Sequence, residues 1–135
     1  MPLVTWDQSY SVKVSRCDND HKKLFALINN LHDAMSTGKG GETVQKVVKE
    51  LSDYTKFHFS AEEALLEKTK YPALSGHRML HQEFIKKVDE FRDNLAKGQS
   101  GQSIFVLNFL KDWLSKHIKE TDKKYSNHLN SNGVM

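Results

Sequence analysis

The placement of histidine and carboxylate side chains on apolar helical stripes constrains this chain more than any other feature. His58 and Glu62 lie four residues apart, as do His77 and His81, in stretches with helical periodicity. Side chains four residues apart lie one turn apart on the same face of a helix, so each pair can reach one point. The apolar stripes of the other helical stretches carry three more ionisable residues: His21, His117 and Asp122.

Helical periodicity covers most of the 135 residues. Apolar residues recur at steps of three and four in four stretches, which are separated by short connections containing glycine or proline. This pattern predicts an all-α fold, an up-down-up-down four-helix bundle with an extended N-terminal arm and a short C-terminal helix. We expect a single domain over 1–135, with the arm at 1–17, the helical bundle at 18–129 and a frayed tail at 130–135. The expected N-caps are Asp18–Asn19–Asp20 for the first helix and Ser100 or Ser103 for the fourth.

The spacing between His117 and Asp122 does not fit a regular helix. Five residues at about 100° each place Asp122 about 140° away from His117 around the helix axis. For both side chains to reach one centre, the backbone between Ile118 and Thr121 must unwind or bulge. The sequence therefore predicts an irregular segment after the fourth helical stripe.

Composition argues against several classes of protein. The net charge is only +3, and the lysines are scattered rather than gathered into the basic stripe of a nucleic-acid-binding protein. No apolar run has the length of a membrane span, and the N-terminus lacks a signal-peptide pattern, so we expect a cytoplasmic protein. Cys17, the single cysteine, cannot form an intramolecular disulfide and is expected to be a small buried residue. His32 and His128 fall off the ligand stripes and are expected at the surface.

Seven ionisable side chains in one small core require compensation. Without partners, each would cost on the order of a few kcal/mol to desolvate. A domain of this size has a net stability of only about 5–15 kcal/mol. Metal ligation resolves this conflict, and two ions use the carboxylates of Glu62 and Asp122 twice, as bridges. The five histidines then divide three and two, although imidazole suits iron, copper, nickel and zinc alike.

The motifs that carry these residues resemble the hemerythrin family over nearly the whole chain. The matching features are Trp6, Asp18–Asn19–Asp20–His21, His58–Phe59–Ser60–Ala61–Glu62–Glu63, His77–Arg78–Met79–Leu80–His81, Asp112–Trp113–Leu114–Ser115–Lys116–His117–Ile118, and Asp122. The resemblance implies a non-haem di-iron centre, with two iron ions and a bridging oxo or hydroxo group, that binds dioxygen reversibly. It also implies that one iron is held by His77, His81 and His117. By the same resemblance the other iron is five-coordinate and is held by His21 and His58, while Glu62 and Asp122 bridge both.

Apolar residues beside the implied ligands suggest how the site would be used. We expect an oxygen pocket over the open iron position, although for Phe25 and Trp113 a role as bundle core is an equal alternative. The pocket residues are Leu24, Phe25, Phe59, Trp113 and Leu114. The expected function is oxygen transport or storage rather than catalysis, with an oxygen-consuming enzyme as a possible recipient.

Two other functions remain as alternatives. One is a di-iron oxidase or peroxidase, which the sequence disfavours because such bundle enzymes often use Glu-x-x-His motifs and this chain has none. The other is a module that senses or buffers oxygen, iron or nitric oxide.

Overall fold

The computed structural model describes residues 3–98 and 101–135, and for Leu114 and Ser115 it describes the backbone only. The chain forms four long helical elements in sequence, followed by a short one. Their bounds are α1 Ser15–Ser36, α2 Gly40–Lys68, α3 Leu74–Ala96, α4 Gln102–Trp113 and α5 Ser126–Ser131. Between α4 and α5 lie a π-helical segment, Leu114–Thr121, and a 3-10 turn, Asp122–Tyr125; the arm contains a 3-10 turn at Gln8–Tyr10.

The helices pack as the predicted up-down-up-down bundle, which confirms the all-α fold. Helix α2 packs against both α1 and α3, and α4 packs against all three. The core between them contains fully buried side chains from several helices, including Leu24, Leu51, Phe84 and Leu110. Burial of each such side chain contributes about 1.5–3 kcal/mol to stability. Within 3–98 and 101–135 there is no strand, and no helix there is both long and apolar enough to cross a membrane.

The start of α1 differs from the prediction. The helix begins at Ser15, and its N-cap residue Val14 makes no side-chain capping bond. Asp18 does not cap the helix; its carboxylate accepts hydrogen bonds from Ser11 Oγ at 2.6 Å and from the Val12 amide at 2.8 Å. The carboxylate therefore ties the arm to the first turn of α1. This contact between arm and helix outweighs local capping, and local sequence does not reveal it.

The end of α2 follows from local backbone chemistry. Helix α2 ends before Lys70, which adopts the left-handed region at φ 58. The amide of Tyr71 then donates to the Leu66 carbonyl at 2.8 Å, a bond that satisfies an otherwise free helix-end carbonyl.

Of the two predicted caps of α4, Ser103 lies inside the helix and Ser100 lies outside the described residues.

The irregular segment predicted between Ile118 and Thr121 is confirmed as a π-helix. The Asp122 amide donates to the carbonyl of His117, five residues earlier, instead of four as in an α-helix. Thr121 Oγ1 also donates to a carbonyl five residues back, that of Lys116, at 3.3 Å. The wider turn rotates Asp122 toward the face that carries His117.

The arm and the tail are both bonded to the bundle. Val4 and Asn29 exchange two hydrogen bonds, of 3.0 and 2.9 Å, and Tyr10 packs edge-on against Phe25. We predicted a frayed tail over 130–135, whereas in the structure the Met135 carbonyl accepts from the Ser15 amide at 2.9 Å. The tail therefore lies against the first turn of α1.

Candidate metal centre

All seven predicted ligand residues are buried and converge in the bundle core. Their exposed fractions lie between 1% and 4%. Their ligand atoms form two groups that share Glu62, and within each group these atoms lie within 4.8 Å of one another. The larger group is Glu62, His77, His81, His117 and Asp122, and the smaller is His21, His58 and Glu62. We call the sides of the site the three-histidine half (His77, His81, His117) and the two-histidine half (His21, His58).

The two oxygens of Glu62 face different halves. Oε1 lies within hydrogen-bond distance of His77 Nε2 and 3.1 Å from His81 Nε2. Oε2 lies 3.1 Å from His58 Nε2 and 3.9 Å from His21 Nε2. A carboxylate in this position can place one oxygen on each of two cations.

The two oxygens of Asp122 also face different halves of the site. Oδ1 lies 2.9 Å from His117 Nε2 and 3.2 Å from His77 Nε2, on the three-histidine side. Oδ2 lies 3.2 Å from His21 Nε2, on the two-histidine side. The π segment is what brings Asp122 to this position, and both carboxylates thus lie between the two halves.

Several of these buried atoms lack a hydrogen bond although a charged atom is near. Nε2 of His21, His81 and His117 each lies within 3.2 Å of a carboxylate oxygen, but none of them forms a hydrogen bond. The nitrogen–oxygen distances are short enough for hydrogen bonds, but the atoms are not aligned for them. Side chains that aim at common points, instead of at each other, fit ligands around cations. Five imidazoles and two carboxylates suit iron, among other first-row transition metals.

Two of the imidazoles are oriented from outside the cluster by carboxylates. His58 Nδ1 donates to Asp20 Oδ2 at 2.9 Å, and His81 Nδ1 lies 3.1 Å from Glu63 Oε2. Arg78 in turn donates to Glu63 at 3.1 Å. Such outer partners fix the ring orientation and the tautomer of a metal-binding histidine. Each half therefore contains one imidazole held in this way.

Tyr125 belongs to the site and was missed by the sequence reasoning. Its buried hydroxyl donates to Glu62 Oε2 at 2.9 Å. Burial raises the pKa of this hydroxyl well above its ordinary value, so it stays a donor. Tyr125 follows Asp122 by three residues, a helical spacing that was the available signal. Cys17 is buried as predicted, and burial also raises the pKa of its thiol.

The charges of the cluster are strongly coupled. Burial alone would raise the pKa of Glu62, but the close approach of His58, His77 and His81 holds it well below its ordinary value. Burial likewise opposes ionisation of His58, but its contacts with the carboxylates of Asp20 and Glu62 outweigh this and raise its pKa to about 10. The pKa of His77 rises to about 9 because the nearby carboxylates of Asp122 and Glu62 exceed the effect of burial. In His117 burial prevails and lowers the pKa. Without metal, the cluster is therefore neutralised by protons on imidazoles.

The predicted oxygen-pocket residues occupy the core around the cluster. Leu24, Phe25 and Phe59 are buried, and Trp113 packs against the same core. Phe59 stacks on His81 with centroids 3.8 Å apart, and its ring also lies 5.8 Å from that of His58. Ile118, which the sequence reasoning did not include, belongs to this core too. The side chain of Leu114 lies outside the described residues, and the pocket as a whole stays a prediction.

Of the two remaining histidines, both expected at the surface, His128 needs correction. His128 is partly buried, and its Nε2 donates to the Thr69 carbonyl at 2.8 Å, just after the end of α2. It thus helps to hold α5 against α2, a tertiary contact that its own helical stretch does not reveal. His32 is partly exposed, with a side chain 36% accessible.

Comparison with known proteins relates the chain to one family. The family described as "Hemerythrin HHE cation binding domain" matches residues 12–129. The chain is 34% identical to the bacteriohemerythrin of Pseudomonas aeruginosa over 127 residues, covering 93% of this chain and 80% of the relative. It is 33% identical to myohemerythrin-1 of Phascolopsis gouldii, covering 92% of each. Among solved structures, a wild-type hemerythrin superposes with a TM-score of 0.83 at 29% identity, covering 94% of this chain and 98% of the other.

Proposed function

The chain belongs to the hemerythrin family, and on that premise we propose that it binds dioxygen reversibly at a pair of non-haem iron ions. The proposed ligands of one iron are His77, His81 and His117. Those of the other are His21 and His58. Glu62 and Asp122 would bridge the two, together with a solvent-derived oxo or hydroxo group. When bound, the ferrous pair supplies the two electrons that dioxygen accepts.

The observation that carries this proposal is the division of the carboxylate oxygens. Each carboxylate presents one oxygen to the three-histidine half and one to the two-histidine half. A mononuclear site would have no use for this arrangement, because it would draw the donors to a single point. Two bridging carboxylates also supply two negative charges to offset the cations within a buried core.

The unequal number of imidazoles supports an open position on one ion. With shared bridges, the two-histidine half has one protein ligand fewer than the three-histidine half. We therefore place the oxygen site beside His21 and His58. Phe59 has its ring 5.8 Å from that of His58, and Leu24 belongs to the same buried core cluster as Phe59. An apolar wall of this kind would exclude water and restrict the supply of protons.

The surrounding polar groups hold the proposed ligands in orientation. Asp20 fixes the ring of His58, and Glu63 fixes that of His81. The hydroxyl of Tyr125 donates a hydrogen bond to Glu62 Oε2, so its proton is already bonded. Among the described residues, no further titratable side chain is bonded to His21 Nδ1 or His117 Nδ1. The proposed outcome is release of the bound dioxygen rather than cleavage of its O–O bond, with an oxygen-consuming enzyme as the proposed recipient.

The test is oxygen cycling of the iron-loaded protein. The reduced protein, prepared without oxygen, should gain a visible absorption band on exposure to air and lose it under vacuum, over repeated cycles. Iron analysis of the same sample should give two ions per chain. Irreversible oxidation with turnover of an added substrate would instead favour an oxidase or peroxidase, and a single ion per chain would contradict the paired site.

A further inference from the structure

Three aromatic rings stack on imidazoles of the cluster, and they differ in how far they are buried. Phe59 stacks on His81 at 3.8 Å and 2°, and Trp113 stacks on His117 at 3.9 Å and 15°. Tyr54 stacks less closely on His58, at 5.1 Å and 20°. Phe59 is only 3% exposed, whereas Trp113 is half-buried. Trp113 therefore combines a close stack on a proposed iron ligand with access to the surface.

Trp113 also forms a wall of a surface groove. The groove lies between α3 and the α4–π region, has a volume of about 270 Å³ and is lined by Phe84, Phe109, Trp113 and His117 together with a few polar residues. The charged side chains in its lining are Glu83, Asp112 and Lys116, so both signs of charge are present. A small molecule in the groove would contact the indole directly. The groove therefore exposes the indole, while the imidazole of His117 beside it is only 4% exposed.

We propose that Trp113 is an electron-relay residue, through which electrons from a donor at this groove reach the iron pair by way of His117. This inference rests on the proposed function, because an oxygen-binding iron pair that oxidises to the ferric form must be reduced before it can bind oxygen again. The donor is a one-electron reductant. Each transfer oxidises one donor molecule and reduces one ferric ion to ferrous, and two transfers restore the pair.

The geometry assigns the indole a bridging role in this step. Electron transfer to a buried ion weakens steeply with distance, and conjugated rings in van der Waals contact extend the electronic coupling. Stacking at 3.9 Å brings the indole into such contact with the imidazole, whose Nε2 lies 2.9 Å from Asp122 Oδ1. The indole is neither oxidised nor reduced, and no bond in the protein forms or breaks. Electrons thus enter at the three-histidine half, while oxygen is proposed to bind at the other.

The kinetic test follows reduction of the diferric protein by hexaammineruthenium(II) under anaerobic conditions in a stopped-flow instrument. Trp113→Leu should slow reduction about tenfold, which corresponds to about 1.4 kcal/mol in the activation barrier. Trp113→Phe keeps an aromatic ring and should fall between Trp113→Leu and wild type, so it carries the test if Trp113→Leu fails to fold. Iron content and midpoint potential should remain those of wild type.

The matched control is Tyr54→Leu, which removes the ring stacked on His58 in the other half. It should leave the reduction rate close to that of wild type. Equal rates for wild type, Trp113→Phe and Trp113→Leu would overturn the proposal, and so would equal slowing by Tyr54→Leu. Because the assay contains no oxygen, normal reduction through Trp113 in a protein that fails oxygen cycling would refute only the proposed function.

A second readout does not depend on turnover. The chain has two tryptophans, so Trp6→Phe leaves Trp113 as the single indole. In this variant, ferric iron should quench the emission of Trp113 strongly compared with zinc in the same site. In the reciprocal variant Trp113→Phe, the emission comes from Trp6 in the arm. The difference in emission between ferric iron and zinc should be smaller there. Equal emission of Trp113 with ferric iron and with zinc would contradict electronic contact between the indole and the site.

Discussion

At the scale of single residues, Glu62 should be the least replaceable ligand, because it is shared by both halves of the cluster. Glu62→Gln keeps the shape of the side chain but removes its charge and one acceptor oxygen. We expect iron content to fall below one ion per chain, measured by mass spectrometry of the metal after desalting.

The control for this substitution is Glu63→Gln, which changes the neighbouring carboxylate that contacts His81 and Arg78 from outside the cluster. Loss of an outer partner typically lowers metal affinity by about 10–100-fold, so at saturating iron this variant should still bind two ions. Equal iron loss in both variants would show that charge in the region matters and that bridging does not.

Protonation of His58 and His77 predicts the pH dependence of metal loading. Their pKa values, about 10 and about 9, lie above the ordinary value of 6.5, so both are imidazolium ions in the metal-free protein at pH 7. A metal-bound imidazole is neutral, so binding must release these protons. Metal affinity should therefore rise with pH and level off above the two pKa values.

Titration of the metal-free protein with zinc in weakly buffered solution containing a pH indicator measures this release directly. His128→Gln is a suitable control, because His128 bonds to Thr69 outside the cluster and its loss should leave the proton count unchanged. A proton count of zero at pH 7 in the wild-type protein would contradict the assignment.

At the scale of elements, the π segment determines whether Asp122 can reach the cluster. Insertion of one alanine after Glu120, an exposed residue within the segment, should rotate the following residues by about 100°, because the turn after His117 would then hold one residue more than the π-helix accommodates. Asp122 would then lose its place between the halves, while Glu62 and the histidines from α2 and α3 would keep theirs. We expect unchanged helix content by circular dichroism but a clear loss of bound iron.

Glu120→Ala is the matched control, since it introduces an alanine at this point of the segment without changing the number of residues in the turn. It should retain the iron content of wild type. If the insertion variant bound two ions as well, the register of the π segment would have no role in positioning Asp122.

Single elements also show how far the sequence could predict the site. His58 and Glu62 were identifiable because an i, i+4 pair shares a face in any α-helix, and the irregular segment followed from the five-residue spacing alone. The bond from His58 to Asp20 and that from Tyr125 to Glu62 join residues 38 and 63 positions apart. Such contacts depend on how helices rotate against each other, which local periodicity does not determine.

At the scale of the whole molecule, the proposed metals should stabilise the fold. The cluster draws on α1, α2, α3 and the region after α4, so cations in it would connect all parts of the bundle. A ligand that binds only the folded state raises the free energy of unfolding by about 4 kcal/mol when its free concentration is a thousand times Kd. We expect a clear rise in Tm on metal loading, measured by calorimetry, and its reversal by a chelator. Equal Tm values with and without metal would contradict coupling between the site and the fold.

The π segment also has an evolutionary consequence. Surface connections such as the one between α1 and α2 can gain or lose residues with little effect on the core. The turn from His117 to Asp122 has no room for an added residue, because one more residue would rotate a bridging carboxylate away from its partners. Among related chains that retain both residues, insertions between them should be absent, even where the residues between them differ.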